Sequence, residues 1–581
     1  MKKLCITALV LCVLLCVFVG CGIAPAPNGS VETTEAPETS NQHIGETTAS
    51  PEASRPNNGE TTDPSSTSKP SDGDGDTPSE PSSPNDEDWL LTLEYLDPAI
   101  FGAVGDGKTD DIDALELAAH VASKMGKILK LPQKEYYTSR PLVLNDVEVL
   151  SENAKISFYG MQASVPAVDM QTNVTIRGKL RIWTVDNTSV ANNHGGRCAM
   201  GFGNYNTGVG AYNCYVEDLE VSGGYYNANG ILITGDSSMI EIEKINIIGA
   251  DTIGRGVLIH WGNANDHYPE YVDGKWTGNY LHKPNCDYTT HPHDIKFGTV
   301  ICDDLSNKEG DAAAFYIAGA YSITVDEILA DNVRHALTIT GGDGGFSYAS
   351  PIEKAHGSKN VRVNKIVGTD INSYGIFYTV ESGYKDIPIF YGELVLGEVT
   401  LSYKSDYKGI GPSFNGIGSL LIHDMTLIGL QTTSIYFIND CSNIHIASLT
   451  MKDCKTPNAT LFYIVTEEKY ISDPTVGTDG LLLQELILDN SAYGRLFLLR
   501  NTTKNVHLQN LTLKNNTSVA GAIFHVDREI PSESNITVGK ESYNDIPLQS
   551  GAACTVTVKT DMILMGSGET LDWDSVEGIK K

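Results

Sequence analysis

The sequence predicts an all-β protein, built as one single-stranded right-handed parallel β-helix behind an N-terminal capping helix. Three observations predict this fold. Short β-branched segments recur after residue 89, segments that begin with a small residue lie between them, and no helical period returns after residue 125. Together the two kinds of segment indicate a repeated coil of three short strands. A β-propeller or sandwich is the competing all-β fold, but hairpin signals such as Asn-Gly are few.

The first 20 residues have the pattern of an export signal. Lys2 and Lys3 precede an apolar run from Leu4 to Val19 that is short for a membrane span. Residues 18–21 read Phe-Val-Gly-Cys and resemble a bacterial lipobox, which implies that Cys21 is lipidated and becomes the mature N-terminus. We therefore expect the protein on the extracellular face of a bacterial cell membrane, anchored by that lipid. A single-span anchor is the alternative.

Residues 21–88 are predicted to be a disordered linker rich in Ser, Thr, Pro and acidic residues. Almost no large apolar side chain is present to offset the entropy of ordering. Fourteen acidic and two basic residues lie in 22–88, so the segment repels itself and stays extended.

Residues 89–581 are the predicted β-helix domain, and this domain is itself acidic. Of the chain's net charge of −32, about −22 falls here. Such a field weighs against nucleic acid as a partner, and less strongly against polyuronates unless calcium bridges the contact. We expect no other cofactor, and we expect a monomer.

The capping helix follows a glycine-rich segment, Phe101–Asp111. Gly102, Gly105 and Gly107 permit a tight turn with positive φ. The segment resembles the opening of the pectate-lyase-like superfamily, whose catalytic domains and phage tailspikes are right-handed parallel β-helices. That resemblance implies the same fold for residues 95 to about 540. The apolar face of the helix that follows consists of Ile112, Leu115, Ala118, Ala119 and Ala122.

The coils are read from the two kinds of segment. Each β-branched segment indicates two strands with a corner between them, and Asn or Asp suits the bends. The β-branched segments are 174–176, 215–221, 240–247, 295–300, 323–328, 361–366, 420–427, 444–451 and 506–513. The segments that begin with a small residue are 230–235, 256–260, 313–319, 336–341 and 375–380. Predicted corner residues are Asn332, Asn372, Asn515 and Asn516.

Seven cysteines lie in the predicted domain. No CxxC pair or Cys/His cluster at zinc spacing occurs, so we expect most to be buried packing residues. A disulfide between Cys441 and Cys454 is left open.

Histidine and tryptophan concentrate between residues 251 and 343. His260 and Trp261 end one predicted strand, while His291 and His293 open the next coil, so all four are expected to face one cleft and contact substrate. The insertion 262–290 shows no strand alternation and is expected to form a loop over that cleft, with aromatic residues that stack on sugar rings. A His-x-His pair alone is a weak metal signal, so we predict no metal site. Satisfied, partly buried histidines are the alternative interpretation.

Acidic residues provide the catalytic candidates. Glycosidases use two carboxylates, one as an acid and one as a nucleophile or base. Asp304 and Asp311 flank a predicted corner and are the predicted pair. Asp303 and Asp331 are their substitutes and otherwise substrate contacts. Ordinary turn residues at coil corners are the competing interpretation.

The sequence departs from the best-known hydrolases of the resembled superfamily. Asp303-Asp304 resembles the Asp-Asp element of polygalacturonases, but their Asn-Thr-Asp and Arg-x-Lys elements are missing. Lacto-N-biosidase-type β-helix glycosidases, which use two aspartates, are a looser parallel. A lyase would need a base and a charge neutraliser, for which Arg334 with His335 is the nearest candidate. Arg334 is also predicted to contact substrate.

The sequence thus predicts a cell-surface protein that acts on an extracellular glycan, as a glycoside hydrolase with an aspartate pair. A polysaccharide lyase and a noncatalytic adhesin are the alternatives.

Overall fold

The computed structural model describes the chain from residue 88 onward, with gaps. The described residues are 88–159, 165–184, 198–204, 207–223, 227–250, 252–260, 267–272, 275–282, 291–305, 312–340, 358–379, 392–432, 434–439, 441–465, 477–499, 504–515, 517–526, 536–538, 548–549 and 570–571. Within them the predicted fold class is confirmed, because parallel strands stack coil upon coil into two long sheets. No helix in this part of the chain is long and apolar enough to cross a membrane.

The cap forms as the sequence predicts. A short helix α1 (Asp88–Leu91) and a 3-10 helix (Pro98–Phe101) precede the capping helix α2 (Ile112–Met125). The three glycines of the preceding turn all have positive φ, and Gly126 ends α2 in the left-handed conformation. All five residues of the predicted apolar face of α2 are buried.

Sheet A has seventeen strands. They are β1 (Tyr95–Leu96), β2 (Asp106–Asp110), β3 (Ile128–Leu131), β4 (Glu135–Thr138), β6 (Val147–Phe158), β8 (Thr172–Thr184), β10 (Tyr212–Gly223), β12 (Ser238–Ile248), β16 (His293–Asp303), β18 (Tyr321–Asp331), β20 (Lys359–Ile371), β22 (Gly392–Tyr403), β24 (Ile417–Ile428), β26 (Ser442–Lys452), β28 (Asp479–Asp489), β30 (Lys504–Lys514) and β32 (Ile536–Val538). Nine of the twelve sheet A strands from β6 to β30 contain a predicted β-branched segment, whereas β6, β22 and β28 were not predicted.

Sheet B has thirteen shorter strands, which include the predicted segments that begin with a small residue. They are β5 (Leu142–Leu144), β7 (Pro166–Met170), β9 (Cys198–Phe202), β11 (Asn227–Ile233), β13 (Ile253–His260), β17 (Ala313–Ala318), β19 (His335–Thr340), β21 (Gly375–Thr379), β23 (Ser413–Asn415), β25 (Ile435–Ile438), β27 (Lys455–Val465), β29 (Ala492–Leu499) and β31 (Ser518–Val526). Two antiparallel pairs lie outside both sheets, β14 (His267–Val272) with β15 (Lys275–His282), and β33 (Leu548–Gln549) with β34 (Thr570–Leu571).

Each long sheet A strand bends once in its middle, which confirms the predicted corner. In β12 the inward–outward alternation breaks at Glu243 and Lys244, which are both exposed. Gly298 occupies the corner of β16, where a Cβ atom would lie 2.1 Å from the backbone carbonyl oxygen of Glu243. The coils therefore approach so closely at this corner that Gly298 leaves no room for a side chain.

The core is a column of inward side chains that stack from coil to coil. Phe462 of β27 stacks on Phe497 of β29, with ring centroids 4.7 Å apart. Five cysteines, Cys198, Cys214, Cys302, Cys441 and Cys454, are buried and free. Cys441 and Cys454 therefore do not form the disulfide that the sequence left open, and the predicted packing role of these cysteines is confirmed. Cys286 and Cys554 lie outside the described residues.

Left-handed residues close the coils at two further corners. Asn332 and Asn515, predicted at bends, both have a φ of 49°. Asn adopts this conformation at low cost because its side-chain amide can form a hydrogen bond with the nearby backbone. Asn372 directly follows β20, and Asn516 lies outside the described residues.

Candidate functional site

Strand β16 separates the predicted site residues into two groups. His291 and His293 lie at its start, and Asp303 and Asp304 lie at its end. Strand β17 runs back from the end of β16 toward its start. The two groups therefore lie at opposite edges of sheet B, roughly 16 Å apart at the usual rise per residue. The imidazole corner comprises His260, His291, His293, Asp236, Asp294 and Tyr321. The acid corner comprises Asp303, Asp304, Asp331, Arg334 and Thr369.

The structure brings two carboxylates together at the acid corner. Asp303 of β16 is the register partner of Asp331 of β18, and both side chains are exposed. Neighbouring strands lie about 4.8 Å apart, so these like charges stand directly across from each other. Partial burial, followed by the charges of Asp331 and Asp304, raises the pKa of Asp303 above its usual value. Asp303 therefore holds its proton more tightly than an ordinary exposed aspartate does.

The two carboxylates have different hydrogen-bond surroundings. The hydroxyl of Thr369, on β20, donates to Oδ1 of Asp331 at 2.5 Å and fixes the orientation of that carboxylate. Within the described part of the chain no group donates to the carboxylate of Asp303. One acid is therefore oriented, while the other is available for proton transfer. Thr369 escaped the sequence prediction, although it holds the position in its repeat that Asp331 holds one coil earlier.

Asp304 lies at the same corner, but its backbone and side chain form hydrogen bonds that stabilise the turn. It has a φ of 54°, and its amide donates to the carbonyl of Asp331 at 3.0 Å. Its carboxylate accepts a hydrogen bond from Nδ2 of Asn332, whose Oδ1 accepts in turn from Nζ of Lys404. Asp311, its predicted partner, lies outside the described residues, so the pairing of Asp304 with Asp311 stays a prediction.

Arg334 of the acid corner is followed along the chain by His335. Arg334 is partly exposed, whereas His335 is buried at the start of β19. The two ring nitrogens of His335 lie 2.9 Å from Oγ1 of Thr338 and 3.1 Å from Oγ of Ser373. Burial, with a smaller effect of Arg334, lowers the pKa of His335 to about 3. His335 is therefore neutral near pH 7 and is held by two hydroxyl groups, which does not suit a proton shuttle.

The three histidines predicted to bind substrate lie at the imidazole corner in different surroundings. His291 is fully buried, and its Nδ1 lies 3.1 Å from the carbonyl oxygen of Gly319, so Nδ1 donates. His293 is partly exposed, and its Nδ1 lies 2.8 Å from Oδ2 of Asp294. His260 is half-buried at the end of β13 and pairs in register with Ala318. His260 and His293 are thus both partly accessible, whereas His291 is not.

The insertion between β13 and β16 contains strands, so the expectation that it lacks strand alternation is wrong. Strands β14 and β15 pair antiparallel, with Tyr271 opposite Trp276. A register shift between Pro269 and Tyr271 interrupts the two-residue period, which explains why the alternation was missed. Trp261 lies outside the described residues, and its predicted contact with substrate stays a prediction.

The outward face of sheet B, between the two corners, carries aromatic residues that the sequence reasoning missed. Tyr316, Phe377, Tyr436 and Tyr463 occupy the same rank on β17, β21, β25 and β27. The guanidinium of Arg255 lies 5.5 Å from the ring centroid of Tyr316. Aligning the short strands by their inward residues would have placed these outward aromatic residues in one row.

No cluster of three or more His, Cys, Asp or Glu side chains in the described ranges has the geometry to hold a metal ion.

Comparison with known proteins shows the fold. No protein-family model and no curated protein matches the sequence. Among solved structures, the pre-mature gene product 12 of bacteriophage phi29 matches with a TM-score of 0.52 and 13% identity, over 82% of this chain and 58% of that chain. The surface protein and adhesin PfbA of Streptococcus pneumoniae matches with a TM-score of 0.34 and 12% identity, over 75% of this chain and 100% of that chain. The A-module of the Azotobacter vinelandii mannuronan C-5 epimerase AlgE4 matches with a TM-score of 0.33 and 13% identity, over 76% of this chain and 99% of that chain. At these identities the likeness concerns the fold alone.

Proposed function

We propose that this protein binds an extracellular glycan and hydrolyses it at the acid corner, with Asp303 as general acid and Asp331 as nucleophile. The observation that carries the proposal is the register pairing of these two exposed carboxylates, one with a raised pKa and one held by Thr369. Glycosidases commonly use two carboxyl groups whose different environments give them different pKa values.

The geometry suits hydrolysis with retention of configuration. Retaining enzymes hold their carboxyl groups about 5–5.5 Å apart, close to the spacing of adjacent β-strands. Protonated Asp303 would give its proton to the glycosidic oxygen as the bond to the anomeric carbon breaks, while Asp331 bonds to that carbon. Asp303 would then take a proton from a water molecule as the water oxygen bonds to the anomeric carbon and the bond between that carbon and Asp331 breaks.

The neighbouring residues have supporting roles in this proposal. Arg334 would hydrogen-bond to sugar hydroxyls beside the pair, and the aromatic row of sheet B would stack on further sugar rings. Asp304 would hold the corner, because its carboxylate is engaged by Asn332. The proposal therefore places the reaction on Asp303 and Asp331, the substitutes in the sequence prediction, instead of Asp304 and Asp311.

The test is product release from a panel of neutral and acidic glycans, followed by mass spectrometry with the full-length protein. Saturated products that disappear in Asp303→Asn and Asp331→Asn but persist in Asp304→Asn support the proposal. Unsaturated products indicate a lyase instead. The absence of product from every glycan favours the second candidate, a noncatalytic glycan-binding protein, which the aromatic row of sheet B also supports.

The proposal includes a location at the cell surface. Lipid on Cys21 would anchor the chain to the outer face of the membrane, and residues 21–88 would hold the β-helix away from it. Metabolic labelling with a radioactive fatty acid tests the anchor, since label should enter the wild-type protein and be absent from Cys21→Ala. Label retained in that variant would refute lipidation at Cys21.

A further inference from the structure

An exposed aliphatic side chain, that of Ile248, lies beside the acid corner, one coil nearer the capping helix. Ile248 ends β12 and is the register partner of Asp303, so Asp303 stands between Ile248 and Asp331. Ile248 is 40% exposed, whereas the preceding residue, Ile247, is fully buried in the core. Three neighbouring coils therefore present an apolar side chain and two carboxyl groups to solvent in one row.

Close backbone contact fixes Ile248 relative to the paired acids. The amide of Gly249 donates to the carbonyl oxygen of Asp303 at 2.8 Å. A Cβ atom at Gly249 would lie 2.6 Å from that same oxygen and 2.5 Å from the carbonyl oxygen of Asp304, so glycine is needed for the coils to approach this closely. Neighbouring strands lie about 4.8 Å apart. Ile248 is thus held one strand spacing from Asp303, a distance comparable to the length of one sugar residue.

The proposed reaction decides which part of the substrate meets this surface. A nucleophile attacks the anomeric carbon from the face opposite the leaving oxygen, and the general acid protonates that oxygen. With Asp331 as nucleophile and Asp303 as acid, the direction from Asp331 to Asp303 points toward the leaving group. Ile248 is the next residue in that direction. The departing sugar is therefore brought against Ile248.

The chemistry of this neighbourhood favours one kind of sugar. The side chain of Ile248 can contact the CH groups of a sugar, but it offers no hydrogen bond and no positive charge. Its register partners are Ser222 and Asp303, and neither is basic. A carboxylate on the departing sugar would lose hydration over Ile248 without gaining a partner, which is unfavourable. The surface therefore suits a neutral sugar.

We propose that Ile248 forms the binding site for the departing sugar and selects a neutral residue at that position. The inference rests on the proposed function and adds the direction in which the glycan lies. The sugar that becomes bonded to Asp331 stays at the acid corner, and the departing part extends toward the capping helix.

The test compares two substrates that differ in the leaving group, using the full-length protein. One is a neutral oligosaccharide that the wild type cleaves, and the other is the glycosyl fluoride of the sugar that becomes bonded to Asp331, whose leaving fluoride does not extend to Ile248. Ile248→Ser should lower kcat/KM about tenfold on the oligosaccharide but stay within about twofold of wild type on the fluoride. Ile428→Ser is the matched control, because Ile428 ends β24, several coils from the paired acids, and should leave both values unchanged.

A second variant tests the selection of a neutral sugar. Ile248→Lys supplies a positive charge, so it should raise the rate on an oligosaccharide with a uronic acid at the departing position relative to the rate on its neutral counterpart. This ratio does not depend on how much of the variant is folded. An unchanged ratio would overturn the selection that we assign to Ile248.

The outcomes separate this inference from the proposed function. An unchanged kcat/KM on the oligosaccharide in Ile248→Ser, or an equal loss on both substrates, would overturn the inference while the hydrolase assignment stands. No cleavage of any oligosaccharide by the wild type would overturn the hydrolase assignment and this inference together.

Discussion

The two ends of β16 differ in the groups that surround their exposed carboxylates. At the acid corner Asp303 faces Asp331 across the strand pair, and partial burial, followed by the charges of Asp331 and Asp304, raises the pKa of Asp303. At the imidazole corner the ring of His293 lies beside two exposed carboxylates, those of Asp236 and Asp294. Some charged partners elsewhere on sheet A are opposite, as in the 2.7 Å pair of Lys365 with Glu327, while others are alike, as in the register pair of Glu398 with Asp424. The pair of Asp303 and Asp331 combines like charge with a raised pKa of one member, which is why the proposed function assigns proton transfer to this corner.

The largest expected effect separates the acids within the acid corner. Asp303→Asn and Asp331→Asn should each lower the rate of glycan hydrolysis about 10³-fold, or about 4 kcal/mol, because each removes one step of the proton or nucleophile chemistry. Asp304→Asn should stay within about threefold of wild type, since an amide oxygen at this position still accepts from Asn332. Initial rates on the first glycan that the wild type cleaves provide the measurement. A large loss in Asp304→Asn alone would return the reaction to the sequence-predicted pair.

The next effect concerns the coil midway between the two corners. Gly298→Ala should lower the free energy of unfolding by about 2 kcal/mol, because the new Cβ atom would lie 2.1 Å from the carbonyl oxygen of Glu243. Denaturant midpoints measure the loss. Ala447→Gly, at the equivalent corner of β26, is the control and should cost under about 1 kcal/mol. Equal costs for the two variants would contradict the close approach at Gly298.

The buried histidine beside the acid corner makes stability depend on pH. The native pKa of His335 is about 3, below its unfolded value of about 6.5, so the unfolded chain binds the proton more readily. Its contribution is complete above pH 6.5 and is lost as pH falls toward 3, by at most about 1.4 kcal/mol per pH unit. His335→Gln should flatten this dependence, as melting temperatures between pH 6.5 and 4.5 would show. Parallel curves for the variant and the wild type would refute burial of a neutral ring.

The smallest effect tests the coupling of the paired acids directly. Asp331→Asn removes a neighbouring negative charge and should lower the pKa of Asp303 toward its ordinary value, whereas Asp294→Asn at the other corner should leave it unchanged. Carbon-13 carboxyl titration by NMR measures both. Because the native pKa of Asp303 is raised, its ionisation destabilises the fold as pH rises above about 3.8, and Asp303→Asn should not lower the melting temperature at pH 7. A destabilised Asp303→Asn variant would indicate a structural role.

The sequence predicts the fold well because the fold depends on local patterns. The repeat of β-branched segments, the small-residue segments and the apolar face of α2 all appear where expected. These patterns need only the residues of one coil, and stacking then repeats them. The disulfide was left open because sequence spacing carries no information on whether two cysteines point toward each other.

The candidate site was only half predictable, because it depends on register between coils. Asp303 and Asp304 are adjacent in sequence, yet the left-handed turn at Asp304 directs one carboxylate across to Asp331 and the other to Asn332. The histidines also lie near these acids in sequence, but the full length of β16 separates the two groups. Only the strand bounds reveal that distance.

The most direct measurement compares the two corners in one hydrolysis assay. Product release by Asp303→Asn and by His293→Ala should be followed on the same glycan, at concentrations that saturate binding. We predict loss of about 10³-fold for Asp303→Asn and a rate within a few fold of wild type for His293→Ala. Equal losses, or the larger loss in His293→Ala, would contradict the assignment of catalysis to the acid corner.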